Sequence, residues 1–267
     1  MEYKILEKIT EQIKQNSPVA LATLTNIEGS TPGKKGAMMA VLEDGTTYGT
    51  VGGGRVELVI AGVAKKCIEE RESKSYSFKL DDDPGSLHMQ CGGEAEVFIK
   101  VFKPDNKLLI AGGGHIGINL YKLGKILGFH TVIFDEREEY CNKDRFPEAD
   151  ELYPGDIEEN LKNYPIGQNC YIAIVTHGHK HDEIALKTVI ERDASYIGMI
   201  GSSNKTKHVM GNLAAAGVSQ DKLDSVYAPV GINLGGQSPE DIALGIMAEI
   251  SLIKNKGTLH HTKEIKK

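Results

Sequence analysis

A glycine loop in the second half of the chain has the spacing of a dinucleotide-binding motif. Gly112, Gly114 and Gly117 fit G-x-G-x-x-G between an apolar run and a helical pattern, and Asp135 ends the next apolar run. Gly112 permits a tight turn, Gly114 lets the backbone approach a pyrophosphate, and Gly117 brings the helix against the sheet. Asp135 is placed to accept hydrogen bonds from a ribose hydroxyl, which favours NAD over NADP. The alternative is that these glycines serve only packing.

A second glycine loop, Gly49–Gly54, lies in the first half of the chain and also leads from an apolar run into a helical pattern. Its three consecutive glycines, Gly52, Gly53 and Gly54, leave backbone amides free to form an anion-binding nest, and Arg55 would add positive charge. A flexible turn between a strand and a helix explains the same glycines equally well. The sequence leaves both interpretations open.

Three histidines and a carboxylate lie within the segment Thr176–Asp182. The segment follows a buried apolar run, so we expect it at the carboxyl end of a sheet, where open α/β folds bind ligands. His177, His179 and His181 are residue types that bind metals, but their order with Asp182 differs from the H-x-H-x-D-H motif of metallo-hydrolases. We therefore favour a structural or ligand-contacting role for His177 and His179 over a metal site.

Cys91 is our candidate for a reactive or metal-liganding thiolate. It lies in the glycine turn Gln90–Glu94 between polar residues, where nearby backbone amides would stabilise a thiolate. Cys67 and Cys170 lie within apolar patterns instead, and we expect them to be buried. An inert loop cysteine is the alternative for Cys91, and Asp81–Asp83 would oppose thiolate formation if these acids lie close to it.

The hydrophobic pattern of residues 1–103 predicts a small α/β domain. Helices are predicted at residues 4–14 and from Val56 to Cys67, and strands at 19–24, 38–42, 47–51 and 95–102. Lys103–Asn106 is the predicted linker, because its proline and polar residues separate two apolar runs.

Residues 107–257 alternate strands with helices, which predicts a Rossmann-like parallel sheet with crossover helices. The predicted strands are 107–111, 131–134, 170–176 and 195–200, and the predicted helices are 115–127, 182–192, 204–215 and one beginning at Ser238. Both glycine loops and the histidine segment then follow strands.

Composition excludes several classes of protein. The 267 residues include 31 Lys+Arg and 37 Asp+Glu, a formal net charge of −6, which disfavours nucleic-acid binding. Every apolar run is far shorter than the roughly 20 residues of a membrane-spanning helix, and residues 1–20 are too charged for a signal peptide. Four cysteines without a C-x-x-C pair argue against disulfides and structural zinc. We expect a cytoplasmic protein with neither nucleic acid nor membrane as a partner.

Taken in order along the chain, these motifs resemble the XdhC/CoxI family of accessory factors for molybdenum hydroxylases such as xanthine dehydrogenase. In the first domain the matching stretches are Gly29–Pro32 with Gly36–Met39, Gly49–Gly54 with Glu57, and Cys91–Gly93. In the second domain they are Gly112–Gly117, Thr176–His179, Tyr196–Ser202 with Lys205, Ala228–Gly231 and Ser238–Asp241. Each motif alone is weak, but their order and spacing are specific and cover nearly the whole chain.

The resemblance implies a role in cofactor maturation. Such factors are thought to bind the molybdenum cofactor, to assist its sulfuration by a cysteine desulfurase, and to pass it to the apo-hydroxylase. A pterin phosphate, or a dinucleotide form of the cofactor, would rest on either glycine loop, with Cys91 beside the metal or its sulfur ligand. Many relatives carry cysteine where this chain has Arg55. The expected cofactor-binding residues are Gly52, Gly53, Gly54, Arg55, Cys91, Gly112, Gly114, His115, Gly117, Asp135, His177 and His179, with Cys91 also as the metal ligand.

An NAD-dependent oxidoreductase is the alternative function. The second glycine loop and Asp135 favour it, and His115, His177 or His179 would supply a general acid or base. We favour the accessory role, without turnover by the chain itself, because a plain dehydrogenase gives no reason for the glycine and cysteine motifs of the first domain. We also expect a homodimer, since symmetric pairs are the commonest assembly.

Overall fold

A computed structural model describes residues 2–29, 33–80 and 93–264 of the chain. The chain divides into two compact units, Met1–Pro104 and Asp105–Lys267, and the division falls within the predicted linker segment. Cys91, with the rest of residues 81–92, lies outside the described residues, as do residues 30–32 of the first glycine-containing motif. None of the described helices is long and apolar enough to cross a membrane.

The first unit is a five-stranded antiparallel sheet that packs against two helices. Its elements are α1 (Glu2–Lys14), β1 (Val19–Glu28), β2 (Met38–Leu42), β3 (Thr47–Gly49), α2 (Gly54–Glu70), β4 (Lys74–Leu80) and β5 (Gly93–Phe102), and the strand order is β3-β2-β1-β5-β4. Because successive strand residues face opposite sides, Ala20 and Leu24 pack in one cluster with Ile60 of α2, whereas Val19 packs in another with Ile5 of α1. The sheet therefore has an apolar core on each face.

Strand β4 is the element of this unit that the sequence analysis missed. Tyr76 and Phe78 alternate along it and pack against the same cluster as α2. Lysines and serines separate these aromatic residues, so the apolar content of the segment is low even though its period is that of a strand.

The second unit is a parallel α/β fold, which confirms the predicted fold class. Its main elements are β6 (Lys107–Ala111), α3 (His115–Ile126), β7 (His130–Asp135), β8 (Glu151–Pro154), α4 (Ile157–Asn163), β9 (Cys170–Ile174), α5 (His179–Val189), β10 (Tyr196–Met199), α6 (Ser203–Ala215), α7 (Gln220–Asp224) and α8 (Pro239–Lys254). Short 3-10 helices cover Glu138–Tyr140 and Thr262–Glu264. The predicted strands and helices all form, but β8, α4 and α7 were not predicted because each is short.

The strand order of the second unit is β10-β9-β6-β7-β8, and every neighbouring pair is parallel. This is the doubly wound order of a Rossmann fold, in which the winding reverses beside the first strand, here β6. Apolar clusters fill both faces, with Leu109 and Ile172 on one side and Ile110 and Ala173 on the other. Strands buried on both faces leave their carboxyl ends as the place where polar residues gather.

Candidate functional site

The candidate site lies at the carboxyl edge of the parallel sheet. Strand β6 leads into the loop Gly112–Gly117, β7 into Asp135–Arg137, and β9 into Thr176–Asp182. Because β6 lies between β7 and β9, residues that follow those two strands meet near the glycine loop. Ligands of open α/β sheets bind at such a point, where the direction of winding reverses.

Two of the motif glycines are required by packing. Gly112 has φ 122°, and a Cβ there would lie 2.3 Å from the carbonyl oxygen of Val175, after β9. A Cβ on Gly117 would lie 2.0 Å from the carbonyl oxygen of Gly112, so the absence of a side chain lets α3 approach the strand. These contacts explain the glycines without any ligand.

Gly114 is different, because packing does not require it. It is half-buried and has φ −69°, and a Cβ there would meet no described atom within 4 Å. Gly114 is the N-cap of α3, and no side chain caps the helix there, while His115 follows it as an exposed residue. The first amides of a helix have no partner within the helix, so this end offers donors to an anion.

The segment after β7 packs directly on the glycine loop. A Cβ on Gly113 would lie 1.9 Å from the carbonyl oxygen of Tyr140, and the Nε of Arg145 donates a 2.8 Å hydrogen bond to the carbonyl oxygen of Gly113. The guanidinium of Arg137 lies 3.8 Å from the centre of the Tyr140 ring. The segment thus closes the loop on the β7 side, whereas Gly114 remains accessible.

Asp135 holds this arrangement together. It is 1% exposed, and each carboxylate oxygen accepts two hydrogen bonds: Oδ1 from the backbone amide and Nε of Arg137, and Oδ2 from Gly113 N at 2.8 Å and Arg137 Nη2 at 2.9 Å. Burial alone raises the pKa of Asp135, but these hydrogen bonds outweigh it, and the pKa lies below its usual value. In this structure both oxygens serve the chain itself, an arrangement that does not fit the ribose contact predicted for Asp135.

His177 and His181 meet at Glu136, whereas His179 lies apart from them. Glu136 Oε1 lies 3.4 Å from His177 Nε2, Glu136 Oε2 lies 3.0 Å from His181 Nε2, and the two imidazole rings stack with centroids 4.8 Å apart. His179 is exposed at the first position of α5. The sequence analysis grouped His177 with His179, but position within the helix decides the pairing. Glu136 was missed, although an acid beside Asp135 at the same sheet edge was a usable signal.

Asp182 ties the turn after β9 to helix α6. It is fully buried in the first turn of α5 and accepts hydrogen bonds from the amide of Thr176 at 3.1 Å and its hydroxyl at 2.6 Å. Its other oxygen forms an ion pair with Lys205 Nζ, whose side chain is 13% exposed. Lys205 and Thr176 therefore fix the backbone that presents the neighbouring His177.

The glycine loop of the first unit encloses an anion that belongs to the chain itself. Glu57 Oε1 accepts hydrogen bonds from Val51 N at 3.0 Å, Gly53 N at 2.9 Å and the hydroxyl of Thr50. Burial raises the pKa of Glu57, but these donors outweigh it, so the pKa lies below its usual value. Arg55 is exposed in the first turn of α2. The predicted nest of amides exists, and Glu57 occupies it.

The cysteines of the described residues lie in the core. Cys67 and Cys170 are buried, as the apolar patterns predicted, and so is Cys141. Burial raises the pKa of the Cys141 thiol to about 11 and also raises that of Cys170, which opposes thiolate formation at neutral pH. The reactive role suggested for Cys91 stays a prediction, because that residue lies outside the described ranges.

Comparison with known families gives matches in both units. The family model for the XdhC Rossmann domain matches residues 108–250, and the model for the XdhC and CoxI family matches residues 12–79. The match to the Rossmann domain contains the loop at Gly112–Gly117, Asp135 and the histidine segment, and the second match contains the loop at Gly49–Gly54.

Two curated proteins are similar in sequence. The uncharacterized protein YqeB of Escherichia coli (strain K12) is 29% identical over 244 residues, which covers 91% of this chain and 44% of that protein. A probable xanthine dehydrogenase component of Bacillus subtilis (strain 168) is 29% identical over 154 residues, which covers 58% of this chain and 44% of that protein. The chain therefore spans less than half the length of these relatives.

A crystal structure described as a xanthine dehydrogenase from Bacillus halodurans is similar in fold. It matches with a TM-score of 0.53 and 22% sequence identity, over 96% of this chain and 97% of that one. At this level of identity the likeness shows the fold alone.

Proposed function

This chain belongs to the XdhC and CoxI family, and from that premise we propose that it is an accessory protein in the maturation of a molybdenum hydroxylase such as xanthine dehydrogenase. In this role it binds the molybdenum cofactor, assists the sulfuration of the cofactor with a cysteine desulfurase, and passes the cofactor to the apo-hydroxylase. The match of family models to both units carries the proposal. The name of the Bacillus subtilis relative supports a hydroxylase as the partner.

The start of α3 is the part of the site that best fits the phosphate of such a cofactor. Gly114 leaves open space where a side chain would otherwise stand, and the helix begins without a side-chain cap. Backbone amides and the helix dipole stabilise an anion at this position, and the exposed His115 is beside it. When bound, the cofactor supplies the redox-active molybdenum centre, while the residues of this chain hold and orient its anionic end.

The loop of the first unit fits this task less well. Glu57 already accepts hydrogen bonds from its amides, and a phosphate would have to displace a carboxylate whose pKa is low because of those same bonds. We therefore assign the phosphate to Gly112–Gly117. Cofactor contacts by Gly52, Gly53, Gly54 and Arg55 stay predictions from the sequence.

The NAD-dependent oxidoreductase has weaker support. Its motif needs a carboxylate at the end of β7 that is available to a ribose, but both oxygens of Asp135 bind Arg137 and one of them also binds Gly113. A titration of NAD and NADH by calorimetry separates the two functions, because an accessory protein for the molybdenum cofactor needs neither nucleotide.

The proposal is tested by measuring molybdopterin in untagged protein purified from a host that makes it. We expect the wild-type chain to retain the pterin, detected by the fluorescence of its oxidised form. Gly114→Ala should reduce the retained amount about tenfold, equivalent to roughly 1.4 kcal/mol, because the new methyl group takes the space of the ligand.

Gly211→Ala is the matched control, since Gly211 in α6 also has open space around it and lies on a different part of the unit. It should retain the pterin at the wild-type level. A wild-type chain that never carries molybdopterin would contradict the cofactor role. Equal retention by both alanine variants would contradict the assignment to the start of α3.

A further inference from the structure

We propose that Glu136, His177 and His181 form a binding site for a divalent transition-metal ion, of the kind that Zn²⁺ occupies with two imidazoles and one carboxylate. The candidate ligand atoms, one from each residue, all lie within 4.8 Å of one another. Two histidines and a glutamate are an established donor set for zinc sites that keep an open coordination position.

The distances are close to those that a tetrahedral ion requires. With zinc bonds of about 2.0–2.2 Å, the ligand atoms of a tetrahedral site lie roughly 3.3–3.5 Å apart. The carboxylate of Glu136 already lies 3.4 Å from His177 Nε2 and 3.0 Å from His181 Nε2. Small rotations of the side chains therefore suffice to bring all three donors onto one ion, without a change in the backbone.

The backbone that carries these residues is fixed by the sheet. Glu136 is the residue after β7, His177 follows β9, and His181 lies in the first turn of α5. Asp182, next to His181, is buried and bound to Thr176 and Lys205, so the turn that presents both histidines is anchored from below. Ligands on such rigid elements lose little freedom when an ion binds.

The environment of His181 argues against a purely structural histidine. Its Nδ1 is buried and has no hydrogen-bond partner among the described residues, whereas its Nε2 faces Glu136. A structural histidine is usually held through both ring nitrogens, but this ring is oriented only by what lies between Nε2 and the carboxylate. An ion at that point accounts for the convergence of two imidazoles on one acid.

The same observation sets the expected affinity. Histidines that bind metals tightly usually donate their second nitrogen to a carboxylate or carbonyl, and loss of that partner typically lowers affinity 10- to 100-fold. Because His181 lacks one, we expect binding in the micromolar range. The side chains of His177 and Glu136 are 41% and 36% exposed, so the ion would keep a position open to solvent or to a ligand on the neighbouring glycine loop.

The test is a titration of untagged full-length protein, freed of metal by a chelator, with Zn²⁺ by calorimetry and with Co²⁺ by visible absorption. We expect one ion per chain and the intense visible bands of four-coordinate Co²⁺. His181→Ala and Glu136→Gln should each weaken Zn²⁺ binding at least tenfold. Thermal unfolding of both variants shows whether they are folded, and Glu136→Gln keeps the shape of the side chain at an exposed position.

The controls are other histidines that lie outside the cluster. His179→Ala removes the exposed neighbour, and the double variant His260→Ala, His261→Ala removes an exposed pair near the end of the described residues. Both should bind Zn²⁺ as the wild type does. The proposal is overturned if the wild type binds no Zn²⁺ below about 100 μM, or if binding survives His181→Ala and Glu136→Gln but is lost in either control. Molybdopterin plays no part in this measurement, so its outcome is independent of the proposed function.

Discussion

The two glycine loops of this protein lead from a strand into a helix in the same way, yet their amides have different partners. In the first unit, Glu57 of the following helix binds Val51 and Gly53, the latter being the N-cap residue of α2. In the second unit, Asp135 holds Gly113 from the neighbouring strand, but the N-cap residue Gly114 is left open. A glycine-rich pattern therefore predicts a nest of amides, whereas the surrounding side chains decide whether a ligand can use it.

The glycines themselves also differ between the loops. Gly53 and Gly54 have φ 84° and 63°, and a Cβ at either would meet no described atom within 4 Å, so their backbone conformation explains why glycine is favoured. Gly117 is instead required because a helix lies against a strand. The first loop depends on conformation and the second on close packing.

The largest expected effect comes from Gly117→Ala. Its Cβ would lie 2.0 Å from the carbonyl oxygen of Gly112, and α3 would have to move away from β6. We expect a loss of about 3 kcal/mol in the free energy of unfolding of the second unit, measured by urea denaturation.

Gly114→Ala is the comparison for that variant, because its Cβ enters open space and the change costs at most about 1 kcal/mol at an N-cap position. Equal losses from the two substitutions would break the distinction between a packing glycine and an open one.

Glu57→Ala should have the next largest effect, in the first unit. Removal of the carboxylate leaves the amides of Val51 and Gly53 without their acceptor, which costs about 2 kcal/mol. Hydrogen exchange at residues 50–57 should quicken, while Glu69→Ala, an exposed acid on the same helix, should leave it unchanged.

The same variant sharpens the comparison, because the loop would then resemble the start of α3. Inorganic phosphate should restore part of the lost stability in Glu57→Ala but have no such effect on the first unit of the wild type. If phosphate fails to stabilise the variant, the amides of this loop do not form an anion site even when they are free.

The smallest expected effect is a dependence on pH. The pKa of Glu57 in the folded chain lies below its usual value of 4.5, so the carboxylate stabilises the first unit above about pH 4.5, and this stability is lost as the pH falls through the lowered pKa. The wild type should therefore lose part of its advantage over Glu57→Gln between pH 5 and pH 3.

The corresponding window in the second unit lies lower. Asp135 starts from a usual pKa of 3.8 and is also lowered, so its contribution should persist to a more acidic pH than that of Glu57. Hydrogen exchange at Gly113, compared with that at Gly53 as the pH falls, would show the order. A first unit that outlasts the second in acid would contradict it.

The sequence was most informative where a local pattern and a buried environment coincide. The strand β6, the loop at Gly112–Gly117 and helix α3 were all predicted, because a completely apolar strand, a fixed glycine spacing and a helical period occur together. Strand β8, at the edge of the sheet, and helix α4 were missed, because four and seven residues are too few to establish a period.

What the sequence determined by itself is the fold class, the presence of amide nests and the family resemblance, since each follows from spacing along one strand, loop or helix. Only the tertiary structure decided which groups meet across elements. Glu57 fills the first nest, Asp135 is consumed by Arg137 and Gly113, and Glu136 joins His177 to His181 rather than to His179. Hydrogen bonds and metal ligation depend on distances of about 2–3 Å, which the packing of strands and helices sets and which spacing along the chain does not encode.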